Sequence, residues 1–411
     1  LLVYLILTVS FGYVLIMSET ALGRMTRKSP VGAFKSFGKK KWLSFGGWIN
    51  AVIPVLIVPY YSVIGGWVIK YLVEYFRGNA KLLAEDGYFT DFISNGVSTE
   101  LCFVAFCAFT LIIIFAGVQN GIERVSKIMM PILIVLSVII AVYSVTRPGA
   151  LAGVKYFLVP NVKNFSWMTV VSAMGQMFYS LSIAMGILIT FGSYMKKDTA
   201  IEDSTRNVEI FDTGIAIMAG LMIIPAVFAF SGGDPNTLQA GPSLMFITIP
   251  KVFQNMGFGT VIGIVFFLLV LFAAVTSSIA LTESAVSTFE DELGWGRKKA
   301  TVLVGVIMLV LGSLSSLGYG PLAGIKIIGM QFLDLFDFLT NSVMMPIAAL
   351  LTSLLVSRVV GIDKIEEEII HGESAFRRKK VFVVMIKYLC PVFAIIILLS
   401  SVANALGWIK M

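Results

Sequence analysis

Charge is scarce in this sequence. Only 13% of its 411 residues are Asp, Glu, Lys or Arg, against 57% that are hydrophobic. A soluble domain of this length has no use for so much apolar surface. Histidine occurs once, at His371 in a charged stretch, which argues against a proton relay built on imidazole. Cysteine occurs three times, at Cys102, Cys107 and Cys390, each inside an apolar run and without metal-ligand spacing. Packing is the ordinary reading of such thiols. No nucleophile–base pair, metal-ligand cluster or phosphate loop stands out, so neither enzymatic chemistry nor an organic cofactor is expected. Lys and Arg exceed the acids, for a net charge of +7. They gather in particular loops, the pattern that orients membrane proteins and not a nucleic-acid footprint.

What the chain has is a series of apolar runs, each about 20 residues long, the length needed to cross a bilayer. The pattern predicts an all-α polytopic membrane protein of the cell (plasma or inner) membrane. Its ten spans run near 1–23, 48–76, 100–118, 126–146, 167–195, 207–230, 257–288, 300–317, 331–357 and 381–408. The basic loops (Arg24 to Lys41, Lys196-Lys197, Arg297-Lys298-Lys299 and Arg358 to Lys380) all follow odd-numbered spans. That places them in the cytoplasm and both ends of the sequence outside. Segment 27–41 alternates basic and apolar residues and is expected to lie along the inner surface or to serve as a plain anchoring loop. Segment 243–256, after Gly241-Pro242, reads as a short outer helix. Leu1 already sits in an apolar run, so the chain is expected to begin within or just before a transmembrane helix.

The fifth span contains a polar break, Gly175-Gln176-Met177-Phe178-Tyr179-Ser180-Leu181-Ser182, with hydrocarbon-like sequence on both sides. A helix in lipid normally satisfies every backbone group in its own ladder. Broken helices persist in membranes where they line a wet cavity, and in secondary transporters they form solute sites. The break is expected at this octapeptide, with Gly175 and Gln176 marking it.

Several motifs together resemble the neurotransmitter:sodium symporter family, in its bacterial amino-acid-transporting branch. They are the octapeptide, Thr276-Ser277-Ser278, Pro59-Tyr60-Tyr61-Ser62 through Trp67, the Gly121 and Pro131 pair, Glu290-Asp291-Glu292-Leu293, and Phe332-Leu333-Asp334-Leu335-Phe336-Asp337-Phe338. The resemblance covers essentially the whole chain in order. It implies the leucine-transporter-like inverted-repeat fold, with family helices 2–11 present and the first helix absent. Residues 1–146 would then be the remainder of the first repeat, 167–357 the second repeat, and 381–408 an accessory helix.

Ala273, Thr276 and Ser277 lie at i, i+3 and i+4, on one helix face that could offer a carbonyl and two hydroxyls to an ion. From periodicity alone, hydroxyls bonded back to carbonyls one turn earlier is the better account. The resemblance implies instead a sodium site at these three residues. It implies another at Ser180, with Asp212 nearby on the next span. A carboxylate in a span is costly and functional by default; the alternative is an Asp solvated near the cytoplasmic end or paired with Arg206. A fixed carboxylate there would balance sodium charge without an anion, so chloride-independent transport is expected.

Ile57, Tyr61 and Ile64 share a helix face. By resemblance, Tyr61 meets the substrate carboxylate, and Tyr179, Ser182, Met185, Ser277 and Leu281 complete an apolar pocket with polar contacts. A mid-sized or aromatic hydrophobic amino acid suits that lining. Packing is the plain alternative for Ile57, Ile64, Met185 and Leu281. The resemblance also implies an outer gate at Asp337 and an inner gate at Asp291, supported by Tyr194. The arginine partners of both acids lie upstream of this chain, so some disorder or substitute pairing is expected. Gly121 and Pro131 bracket a segment that either unwinds or holds a static kink.

The function expected is sodium-coupled symport of a hydrophobic or aromatic amino acid by alternating access. The alternatives are a proton-coupled carrier of the same fold and a non-transporting remnant or scaffold. The expected partners are Na+, an amino acid and the lipid bilayer, with no nucleic acid. Nothing in the sequence specifies an oligomer.

Overall fold

The computed structural model describes residues 1–161, 163, 165–234, 238, 241–372 and 375–405. Among these, nine helices are long and apolar enough to cross a membrane. They are α1 (Leu2–Thr26), α3 (Lys41–Phe76), α4 (Gly96–Phe115), α5 (Val118–Val145), α9 (Ile201–Ser231), α11 (Gly259–Leu293), α12 (Arg297–Leu317), α13 (Phe332–Val360) and α15 (Lys379–Asn404). Shorter helices lie between them: α2 (Pro30–Lys35), α6 (Ala150–Leu158), α7 (Trp167–Ser180), α8 (Ile187–Tyr194), α10 (Leu244–Gln254) and α14 (Ile362–Ile370). A further crossing, fifth in chain order, is divided: α7 and α8 are its two halves, and neither is long enough to span alone. The chain is a multi-pass membrane protein.

Helix α3 packs along α4, α11 and α12, while α1 packs on α8, α5 on α9, and α13 on α15. The α1–α8 contact is backbone to backbone. A side chain at Gly23 would strike the carbonyl of Ile189, and one at Gly192 would meet the Thr20 backbone. Small residues permit this closeness, which in lipid supplies packing that the hydrophobic effect cannot. Towards the outer end, Trp67, Tyr71, Phe89, Phe246 and Phe267 form one aromatic cluster, and the Tyr71 hydroxyl donates to the carbonyl of Phe246 at 2.7 Å. Helix α10, on the outer segment 243–256, carries Phe246 into it.

The apolar part of segment 27–41 packs on protein. Pro30 to Phe34 are buried in α2, which packs on α3. The apolar residues at 30–34 face protein, while the flanking bases Lys28, Lys35 and Lys39 to Lys41 are exposed. Gly121 sits in a wide turn, Val118–Glu123, at the start of α5, where a side chain would strike the Ile113 carbonyl. The helix is continuous from Gly121 through Pro131.

Candidate functional site

The break falls at 181–186, later than the octapeptide implied. Gly175 and Gln176 lie inside the continuous helix α7, with Gln176 exposed. The backbone leaves the right-handed region at Ser182 (φ 54°), Ala184 (φ 58°) and Gly186 (φ 72°). Two of these are not glycine, so the conformation is held from outside. Helix α1 provides one hold: Glu19, wholly buried, accepts the Ala184 N–H at 2.7 Å. Gly186 is wedged between Pro30 and the Asn50 carbonyl, each within 2.8 Å of where a Cβ would stand.

Just before the break, Ser180 donates to both oxygens of Asp212, at 3.0 and 2.9 Å. Tyr4 joins them, with its hydroxyl 3.1 Å from Ser180 Oγ and 2.9 Å from Asp212 Oδ2. Three helices, α1, α7 and α9, thus bring a carboxylate and two hydroxyls to one point. Such hard oxygen donors suit a small alkali cation. Arg206 pairs with Asp203, at 3.7 Å, and not with Asp212. Of the face on α11, the Thr276 hydroxyl bonds back to Phe272 and Ala273 carbonyls at 3.1 and 3.0 Å, while Ser277 is exposed.

Tyr61, half-buried on α3, comes near Ser277 of α11. Ile57, Met185 and Leu281 are buried; Ile64, Tyr179 and Ser182 are half-buried. Tyr179 meets Tyr60, hydroxyl to hydroxyl, at 3.2 Å. Tyr60 also donates to Asp337 at 3.1 Å and lies 3.4 Å from the Thr340 hydroxyl. Asp337, the residue read as an outer gate, is therefore tied to Tyr179 through one buried tyrosine.

At the end that carries the basic loops, Asp291 accepts the Ser29 N–H at 2.6 Å, and Lys35 pairs with the neighbouring Glu292 at 2.5 Å. Both acids read as gates thus have substitute partners. Tyr194 takes a partner other than Asp291: it donates to Glu283 at 2.7 Å. Glu283 is fully buried on α11 and is gripped by Arg297 through two nitrogens, at 3.1 and 2.6 Å. Arg297 also donates to the Ile114 carbonyl at 3.0 Å, so helices α4, α8, α11 and α12 meet in this cluster.

Tyr4, Glu19, Tyr60 and Glu283 escaped the reading of the sequence. For the two acids the signal was present. Ser18-Glu19-Thr20 and Thr282-Glu283-Ser284 each put a carboxylate within an apolar span, where its cost implies a partner. Nothing in the sequence marks Tyr4 apart from the other tyrosines of the spans, and in the motif Pro59-Tyr60-Tyr61-Ser62 only Tyr61 carried an expected role.

A family model described as the Sodium:neurotransmitter symporter family matches residues 89–408. An uncharacterized sodium-dependent transporter of Bacillus subtilis, YhdH, is 33% identical over 98% of this chain and 89% of its own length. An uncharacterized sodium-dependent transporter of Haemophilus influenzae is 30% identical over 97% of this chain and 89% of its own. The crystal structure of MhsT in complex with L-phenylalanine superposes with a TM-score of 0.88 at 33% identity, covering 97% of this chain and 90% of that one. With its membrane-spanning helices and divided fifth crossing, this chain belongs to the sodium:neurotransmitter symporter family, as a sodium-coupled transporter and not an enzyme.

Proposed function

We propose that this chain carries a hydrophobic or aromatic amino acid inward together with sodium, without needing chloride. The observation that carries the reading is the Tyr4–Ser180–Asp212 cluster beside the break in the fifth crossing. Asp212 brings a fixed negative charge to a point where two hydroxyl oxygens also converge, which supports a cation site whose charge is balanced by the protein itself. Ala273, Thr276 and Ser277 are the second proposed sodium position. The Thr276 hydroxyl donates to helix carbonyls and keeps its oxygen lone pairs for an ion.

The solute pocket is proposed at Ile57, Tyr61, Ile64, Tyr179, Ser182, Met185, Ser277 and Leu281. Tyrosine hydroxyls and serines would take the charged head, and the buried Ile, Met and Leu surfaces the side chain. MhsT, which shares this fold at 33% identity, was crystallised with L-phenylalanine, and that favours a substrate of this size and polarity. Asp337 with Tyr60 is proposed as the outer closure, and Asp291 with Tyr194 as part of the inner one. Residues 1–146 and 167–357 are read as the two repeats that move against each other.

The test is uptake of radiolabelled L-phenylalanine into proteoliposomes. Uptake is expected with sodium outside and not with choline, and equally in chloride and gluconate. Uptake that ignores sodium would overturn the coupling. Uptake that stops in gluconate would overturn the role given to Asp212.

A further inference from the structure

Arg24 is fully buried near the cytoplasmic end of α1, and the charge that meets it comes from α14. Its Nε donates to Glu368 Oε1 at 2.6 Å and its Nη1 to the Thr199 carbonyl at 2.5 Å; its Nη2 donates to the main-chain carbonyl of Glu368. Lys197 reaches the other carboxylate oxygen of Glu368, at 3.0 Å. Glu368 shares its face of α14 with Ile362, Ile365 and Ile369, all buried, while Asp363, Lys364 and Glu367 point outward. An acid on an otherwise apolar docking face is costly unless a buried cation awaits it.

The partners come from two parts of the fold. Helix α1 and the inner half-helix α8 are in backbone contact at Gly23 and Gly192, and Lys197 and Thr199 follow α8 directly. Helix α14 hangs from α13 through Gly361 (φ 88°), and α13 packs on α3 and α15. Gly372, just past α14, presses on the same loop: a side chain there would stand 2.9 Å from the Asp198 and Thr199 carbonyls. The segment after α8 is therefore gripped by α14 and by the residue that follows it. None of these residues belongs to the Asp291 or Glu283 clusters.

We propose that Glu368 is a positioning residue of the cytoplasmic gate, a latch that ties α14 to the α1–α8 pair and is released when α8 swings to open the inner path. The proposal rests on reading the chain as an alternating-access carrier. Glu368→Gln removes the charge and leaves Arg24 on two main-chain carbonyls; as with any buried ion pair, this lowers the stability of the fold. Lys197, half-exposed, can be changed to Gln without opening a cavity. It carries the same test should Glu368→Gln fail to fold.

The experiment is hydrogen–deuterium exchange of the full chain in lipid nanodiscs with saturating sodium and no substrate. A failed latch is thereby told apart from a failed uptake assay. Glu368→Gln is expected to raise exchange across 187–199 by about fivefold, the low end of coupling between linked equilibria. Lys197→Gln should act in the same direction but less, and Glu367→Gln, on the outward face, should leave exchange unchanged. In uptake, Glu368→Gln should raise the sodium concentration for half-maximal rate. Exchange that rises only within 362–372, or that stays unchanged across 187–199 in both latch variants, would overturn the proposal.

Discussion

Asp212 receives hydroxyl donors from Tyr4 and Ser180, and no ion pair among the described residues holds it. Its charge is thus available to a bound cation. Asp212→Asn removes that charge and keeps the shape. The expected result is uptake that now requires chloride, lost in gluconate and regained when chloride is restored; an Asn variant indifferent to the anion would remove the carboxylate from the ion balance. Tyr4→Phe deletes one hydrogen bond to a charged group, worth about 1.5 kcal/mol, and should raise the sodium concentration for half-maximal uptake about tenfold. Asp212 was legible in the sequence because an acid in an apolar span announces itself. Tyr4 was not, because a tyrosine in a span is unremarkable until the fold places its hydroxyl beside a carboxylate 208 residues away.

The divided crossing teaches the same lesson at the level of an element. Its existence was readable from the polar octapeptide, but its position was not. Gly175 and Gln176 are tolerated within a continuous helix, and the turn is set by neighbours: Glu19 capturing the Ala184 N–H, and Pro30 and Asn50 enclosing Gly186. Positive φ at Ser182 and Ala184 cannot be inferred from residue type, since neither favours it. Gly186→Ala puts a methyl against Pro30 and the Asn50 carbonyl in a left-handed conformation. It should cost roughly 2 kcal/mol, seen as a lower melting temperature in detergent. The inner cluster offers a second check. Glu283→Gln strips a fully buried charge from Arg297, whose side chain is 23% exposed. The expected loss is about 3 kcal/mol, the lower end for breaking a buried pair, and thermal unfolding would measure it. An unaltered melting temperature would mean that the Ile114 carbonyl and Glu290 suffice for Arg297.

For the whole molecule, the basic loops give the orientation by the positive-inside rule. With that orientation, Asp334 and Asp337 lie towards the outer mouth, the Tyr4–Ser180–Asp212 point within the span, and Asp291 and Glu283 towards the inner end. On the proposed reading these acids mark successive levels of an inward cation route, and at its inner end Glu283 is held by Arg297 and Asp291 by the Ser29 N–H. A zwitterionic amino acid adds no net charge to the passage, so each sodium carried moves one unit of charge through the field. Across 100 mV, inside negative, that is worth about 2.3 kcal/mol per sodium. Uptake into proteoliposomes should therefore accelerate when valinomycin and an outward potassium gradient make the interior negative, and slow when the gradient is reversed. The same vesicles given sodium on both sides should still concentrate substrate under the negative potential alone. Uptake indifferent to voltage would require a counter-moving charge, and the fixed carboxylate of Asp212 would then be the first residue to examine for a proton travelling outward.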